Sequence, residues 1–414
     1  MSRVVHSLPA APRIRRVAVL GAGIMGSCLS LFLARKGIDV TLFDAERAPM
    51  SGVSRWNEGK IHLGYLYSAD PSLRSARHML PGGLAFGRLV SDLLGESLAG
   101  EMTAKDDLYL VHKDSVVEAG SVRRYLDAVS ELVREQPDAG DYLCDASCAR
   151  ARALSRAELE SIADTRKIVA GFRVPERSVR TGWIADRLCG ALASEPRVTL
   201  RMGVRVASAT PLGPVDGSWR VQGEGGIDET FDAVVNALWH GRLAIDRTAG
   251  LAPEGEWSNR YRVSLFARTS RPVDVPSAIA VIGPFGDIKN YNGRDFYLSW
   301  YPAGLLSEST AVSPEQPMPL GKQERLCLVE RVGEGLGSVM PGAREVLANA
   351  EDMVVEGGFV FATGQGSIAD PRSSLHRRDS FGVRRYGRYF SVDTGKYSTA
   401  PWLAEAIVRE ISGT

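Results

Sequence analysis

Residues 16–26 constrain the fold more than any other part of the chain. Arg16-Val17-Ala18-Val19-Leu20 is a short apolar run with β-branched side chains, the pattern of a buried parallel strand. It passes straight into Gly21-Ala22-Gly23-Ile24-Met25-Gly26, a GxGxxG, and on into an apolar helix through Leu29, Phe32 and Leu33. Gly37 is placed to cap that helix at its C-terminus, and a second strand over 38–43 ends at Asp44. Gly21 permits the tight strand-to-helix turn and Gly23 lets backbone approach a diphosphate. Gly26 lets helix and strand pack closely, and the helix start at Ile24 and Met25 turns its positive dipole end toward the phosphates. Asp44, about 20 residues further on, is positioned to accept hydrogen bonds from an adenosine ribose, which disfavours a 2′-phosphate and hence NADP. Strand, turn, helix, strand and acid in register predict a dinucleotide-binding βαβ unit, whereas the bland alternative is a glycine-rich turn in another α/β protein.

A chain of 414 residues exceeds what one hydrophobic core usually serves, so two domains are expected. With 44% hydrophobic residues, 24% charged residues and a net charge of +1, the composition is that of an ordinary globular protein. No charge imbalance suggests a nucleic-acid groove or a membrane-binding face. The five cysteines lack CxxC or zinc-site spacing, which predicts reduced thiols in a cytoplasm and no metal site. No apolar run reaches the length that spans a bilayer, and residues 1–13 read as a loose leader.

The βαβ unit alone does not separate NAD from FAD; later segments do, by resemblance. Ser54-Arg55-Trp56-Asn57-Glu58-Gly59-Lys60-Ile61-His62-Leu63-Gly64-Tyr65-Leu66-Tyr67 resembles the second flavin-contacting loop of the D-amino-acid oxidase superfamily. Its Ile-His-x-Gly-x-x-Tyr core is similar to that of L-2-hydroxyglutarate oxidases and FAD-linked glycerol-3-phosphate dehydrogenases. Ser391-Val392-Asp393-Thr394-Gly395-Lys396-Tyr397-Ser398-Thr399 resembles the flavin loop of the glycerol-phosphate enzymes, and Arg377-Arg378-Asp379 their Ser-Arg-Asp segment. The resemblance implies FAD contacts from Ser54, Asn57, Gly59, Lys60, Ile61, Gly395, Lys396, Tyr397 and Ser398. It also sets the Val206 backbone, at the end of a strand over 198–206, against adenine. The strand over 231–238 resembles the one that returns under the cofactor and carries Asn236, but the family's Ala-Ala-Gly is replaced by Ala237-Leu238-Trp239.

The expected fold class is α/β, a Rossmann-like FAD-binding domain with a discontinuous β-rich, α+β substrate domain. The FAD-binding domain is assigned to 14–64, 168–244 and 356–414, and the substrate domain to 65–167 and 245–355. Helical apolar spacing covers 84–98 and 121–134, alternation marks strands over 261–268 and 295–301, and Asn292-Gly293 signals a hairpin. A last helix is expected from near Thr399.

Flavin oxidation of a C–H bond needs a proton acceptor and stabilisation of the reduced ring's negative charge. His62 is the candidate acceptor, alternatively a flavin-packing or covalently attached residue, or ordinary structure. Lys396 and the helix start after it would stabilise the reduced ring, against a reading as a surface lysine. Arg378 would clamp a substrate carboxylate or phosphate, unless it is an exposed loop arginine beside Arg377. Tyr65, Tyr67 and Tyr297 line the pocket or belong to the core. The resemblance implies hydride removal from a hydroxyl-bearing carbon of a small 2-hydroxy acid or polyol, with electrons passed to oxygen, a quinone or another carrier. A glycerol 3-phosphate substrate is disfavoured because Ala362-Thr363-Gly364-Gln365 stands where those enzymes have Gly-x-Arg-Pro. An amine or amino-acid oxidase, a nicotinamide-dependent dehydrogenase and a non-catalytic flavin-binding protein are the alternatives.

Overall fold

In the computed structural model, which describes residues 13–413, the N-terminal pattern becomes a βαβ unit whose two strands are interior to a six-stranded sheet. The strand order is Gly382–Tyr386, Tyr389–Asp393, Ala233–Asn236, Arg16–Leu20, Asp39–Asp44, Val198–Met202. All neighbours are parallel except the first pair, a hairpin. Period-two alternation sorts the central strands between two cores. Val17, Val19 and Leu42 face the helices Ile24–Arg35, Thr181–Ser194 and Ala400–Ser412, while Ala18, Leu20 and Phe43 face Trp219 and Val221. Those last two belong to a three-stranded antiparallel sheet of Val206–Pro211, Trp219–Gly223 and Asp228–Phe231.

A nine-stranded mixed sheet forms the second layer. Its backbone is the long antiparallel pair Trp257–Thr269 and Ala350–Thr363, joined through Asp295–Trp300, Gly286–Asn290 and Ala278–Val281 to Asp107–His112 and Ile168–Val174. The helices Lys322–Gly337 and Gly342–Ala348 cover one face of this sheet with Leu328, Val332, Leu336 and Val346. Asn292-Gly293 does turn the chain between Gly286–Asn290 and Asp295–Trp300, with Gly293 at φ +84°.

Several expectations shift. The expected strand over 198–206 is two strands in different sheets, because Gly203 turns at φ +72° and donates its N–H to Glu46 O. The strand over 231–238 likewise divides, Asp228–Phe231 pairing with Trp219–Gly223 and Ala233–Asn236 with Arg16–Leu20. The helix expected over 84–98 runs Arg74–Leu94 and contains Pro81. Ile168–Val174, which opens at the border drawn at 168, pairs with Asp107–His112, and Ala350–Thr363, which spans the border drawn at 356, pairs with Trp257–Thr269 along its length. Of the expected leader over 1–13, residues 1–12 lie outside the described residues. Among the described residues no helix is long and apolar enough to cross a membrane, and no group of three or more His, Cys, Asp or Glu could hold a metal ion.

Candidate active site

The strand ending at Leu20 delivers the chain to Gly21, whose φ of +100° disfavours any side chain, and a Cβ there would stand 2.6 Å from Ala237 O. At Gly26 a Cβ would stand 1.8 Å from Gly21 O, so this close approach of helix to turn requires glycine. Gly23 occupies the N-cap without a side-chain cap, leaving the first amides of a 12-residue helix directed at the loop. The Ile24 N–H donates to Ser54 Oγ at 3.0 Å, which ties the second loop to the helix start. The Ile24 and Met25 side chains are buried in the core. Asp44 closes the turn from the neighbouring strand tip, accepting from Ala22 N–H at 2.6 Å and from Glu46 N–H at 2.8 Å. A glycine-lined turn, open donors and the positive end of a helix fit a dinucleotide diphosphate.

The loop over 51–63 is held in shape by its own side chains. Asn57 donates to Val53 O at 2.8 Å and accepts from Gly59 N–H at 2.8 Å. Gly59, at φ +63°, packs where a Cβ would meet Val179 O at 2.0 Å. Lys60 and Ile61 pair with Ser178 and Arg177. The Lys60 side chain turns into a buried ionic cluster: its Nζ lies 2.6 Å from Asp107 Oδ2, the oxygen that Lys289 Nζ also approaches at 2.6 Å. Glu176 completes the cluster, accepting from Tyr109 OH at 2.6 Å and from Leu63 N–H at 2.6 Å. The charges therefore anchor the backbone on both sides of His62.

His62 is 1% exposed, and its Nδ1 has no hydrogen-bond partner among the described residues. Burial first, then the charges of Lys396, Lys60, Lys289 and Arg378, holds the imidazole well below its ordinary value. The ring is thereby held in its neutral form. Tyr67 stands beside it, ring centroids 6.1 Å apart.

The third loop comes from the C-terminal end. Gly395, at φ +63°, donates to Asp393 Oδ1 at 2.9 Å and lies against the Phe381 ring. Lys396 is half-buried. Burial lowers its ammonium to about 8; Glu58 opposes the shift, while Arg378, Arg260 and Arg262 add to it. Lys396 precedes a short turn, Tyr397–Thr399, and the 13-residue helix Ala400–Ser412. Of the adjacent arginines, Arg377 is exposed and Arg378 turns inward, its Nη1 buried without a partner among the described residues. Arg378, Asp393 and Gly395 share the wall of a cavity of about 270 Å³ with Phe361 and Thr363.

Not every candidate side chain faces this space. Asn236 donates to Arg242 O at 2.9 Å, Asp246 Oδ1 at 2.9 Å and Tyr389 OH at 2.8 Å, which commits its amide to the core beneath the sheet. The Tyr397 ring packs on Phe86, and the Tyr397 OH and Ser398 Oγ are buried without partners among the described residues. The Val206 side chain joins the core with Trp219, while the neighbouring Val204 N–H donates to Asp44 O at 3.0 Å. Tyr65 and Tyr297 are core residues, hydrogen-bonded to Ser130 and Ser264 at 3.0 Å each. Sequence reasoning passed over Glu58, Arg260, Arg262 and Tyr301, which stand near Lys396 and Arg378. The signal was present for two of them: Arg260 and Arg262 are two apart on one strand, hence on one face.

The chain matches the family described as FAD dependent oxidoreductase over residues 16–349. It is 29% identical over 277 residues to the tRNA 5-methylaminomethyl-2-thiouridine biosynthesis bifunctional protein MnmC of Chromohalobacter salexigens; that match covers 66% of this chain and 34% of the relative, so the chain spans about a third of that relative's length. Among solved structures, the fold is similar to glycine oxidase from Geobacillus kaustophilus (TM-score 0.66, 14% identity, 97% of this chain and 95% of that one). It is also similar to FAD-bound L-alpha-glycerophosphate oxidase from Mycoplasma pneumoniae (TM-score 0.63, 13% identity, 97% and 95%). With the glycine-lined turn, its acid and the two later loops on one side of the parallel sheet, the chain belongs to the FAD-dependent oxidoreductase family named for D-amino-acid oxidase.

Proposed function

We propose that this FAD-dependent oxidoreductase oxidises a hydroxyl-bearing carbon of a small anionic substrate, a 2-hydroxy acid or polyol-type acid. Bound FAD supplies the acceptor of the hydride, two electrons and one proton equivalent, which later pass to oxygen, a quinone or another carrier. Gly21, Gly23, Gly26 and Asp44 would hold its ADP half; Ser54, Asn57, Gly59, Gly395 and Lys396 would border the rest. Within this reading Arg378 binds the substrate's carboxylate and orients the C–H bond. His62 takes the hydroxyl proton at a ring nitrogen as the carbon loses its hydride, so the substrate becomes a carbonyl compound with charge balanced. Lys396 holds positive charge beside the reduced ring.

The observation that carries this reading is the buried, neutral, unpartnered Nδ1 of His62 among cations. An alcohol must surrender its O–H proton as hydride leaves, and the unpartnered Nδ1 is an acceptor open to it, with the surrounding cations weakening it as a base. An amine substrate, already neutral when reactive, needs it less. The amine reading keeps support from the relatives, a tRNA 5-methylaminomethyl-2-thiouridine biosynthesis protein and a glycine oxidase. Anaerobic mixing of the FAD-loaded protein with 2-hydroxy acids, polyols and amino acids separates the two. Bleaching of the flavin band by hydroxy acids is the expected result; bleaching by amines alone would overturn the preference. Free thiols at Cys28, Cys144, Cys148, Cys189 and Cys327 support a reducing, cytoplasmic setting.

A further inference from the structure

Arg260 and Arg262 project from one face of the strand Trp257–Thr269 and meet at a single tyrosine. Arg260 Nη1 donates to Tyr301 OH at 3.1 Å, and the Arg262 guanidinium lies 4.5 Å from the centre of the same ring. Arg260 is 5% exposed. The Nε of each is buried without a hydrogen-bond partner among the described residues, as is Nη1 of Arg378. Among the described residues, no carboxylate lies within 4.0 Å of a nitrogen of Arg260, Arg262, Arg378 or Lys396, although most other arginines of the chain are paired. Buried guanidinium groups are ordinarily paired, because an unpaired charge out of water is costly. At longer range Glu58 acts on Lys396 and Arg262, and Asp393 on Arg378. The unpartnered donors come from two separate places, the strand Trp257–Thr269 and the loop that carries Arg378.

We infer that Arg260 and Arg262 form a second anion subsite, separate from the carboxylate clamp at Arg378, and that the substrate carries at least two negative groups. The inference rests on the proposed oxidation of a small anionic substrate and deepens it. The remote group is a carboxylate or a phosphate, both of which offer the paired oxygens that a guanidinium fork accepts. Tyr301 fixes the spacing of the two forks, so the remote group is read for position as well as charge.

The test uses the FAD-loaded protein and ligands that cannot be oxidised, propionate, succinate, glutarate and inorganic phosphate, with binding read from the shift of the flavin absorption spectrum. A dicarboxylate should bind on the order of 100-fold more tightly than propionate. Arg260→Gln and Arg262→Gln should each remove most of that preference while flavin content stays the same. Arg262→Lys, which keeps charge without the fork, should retain part of it and guards against a folding defect. Tight phosphate binding lost in the same variants would identify the remote group as phosphate. Equal affinity for propionate and both dicarboxylates would overturn the subsite. So would loss of flavin from the variants with the ligand preference intact, since the arginines would then serve the cofactor. Because binding is read without turnover, a failure of the hydroxyl-oxidation reading would leave these affinities unchanged.

Discussion

His62 and Lys396 both owe their protonation states to burial among cations, and they predict opposite limbs of a pH profile. His62 is lowered from 6.5, so the neutral form persists as pH falls and the acid limb of flavin reduction should lie well under 6.5. Lys396 is lowered to about 8, so its charge is lost as pH rises through that value. If its charge supports the reduced ring, reduction should slow above about pH 8, and Lys396→Met should erase that alkaline limb while slowing the reaction at pH 7. His62→Ala should reduce the rate by about 10²–10⁴-fold with flavin still bound, measured by stopped flow; an unchanged rate would remove the proton-transfer role. Arg378→Ala should raise the substrate concentration needed for half-maximal reduction more than it lowers the limiting rate.

The βαβ unit was legible in the sequence because every demand it makes is local. Gly21 turns within one residue, Gly26 packs against an atom five residues back, and Asp44 sits at the tip of the next strand. Gly26→Ala should therefore strip FAD from the purified protein, seen as a fallen ratio of 450 nm to 280 nm absorbance, and cost roughly 1–3 kcal/mol of stability from overpacking. The meeting of Arg260 and Arg262 at Tyr301 was not legible, although their spacing on one strand was. Tyr301 is some forty residues away, and only the fold brings Arg378 to it. Likewise Lys60 sits within a flavin-loop motif, yet its side chain answers to Asp107, Glu176 and Tyr109, none of which the local pattern names. Strand pairing at long range likewise decides which sheet holds Ile168–Val174 and Ala350–Thr363.

Across the whole molecule the loop over 51–63 is joined to the nine-stranded sheet by buried charge. Asp107, from the second layer, bridges Lys60 of the flavin-side loop and Lys289. Removing that carboxylate leaves two ammonium groups facing each other out of water, so Asp107→Ala should cost roughly 3–5 kcal/mol in urea unfolding, well beyond a typical surface change. His62, Arg378 and Lys396 come from segments more than 300 residues apart, and Tyr389–Asp393 completes the parallel sheet beside Ala233–Asn236. During synthesis, then, the glycine turn is made long before the strand that completes its sheet. A ribosome-held chain stopped before Tyr389 would leave Ala233–Asn236 with a bare edge, so the parallel sheet cannot close until that strand has been made.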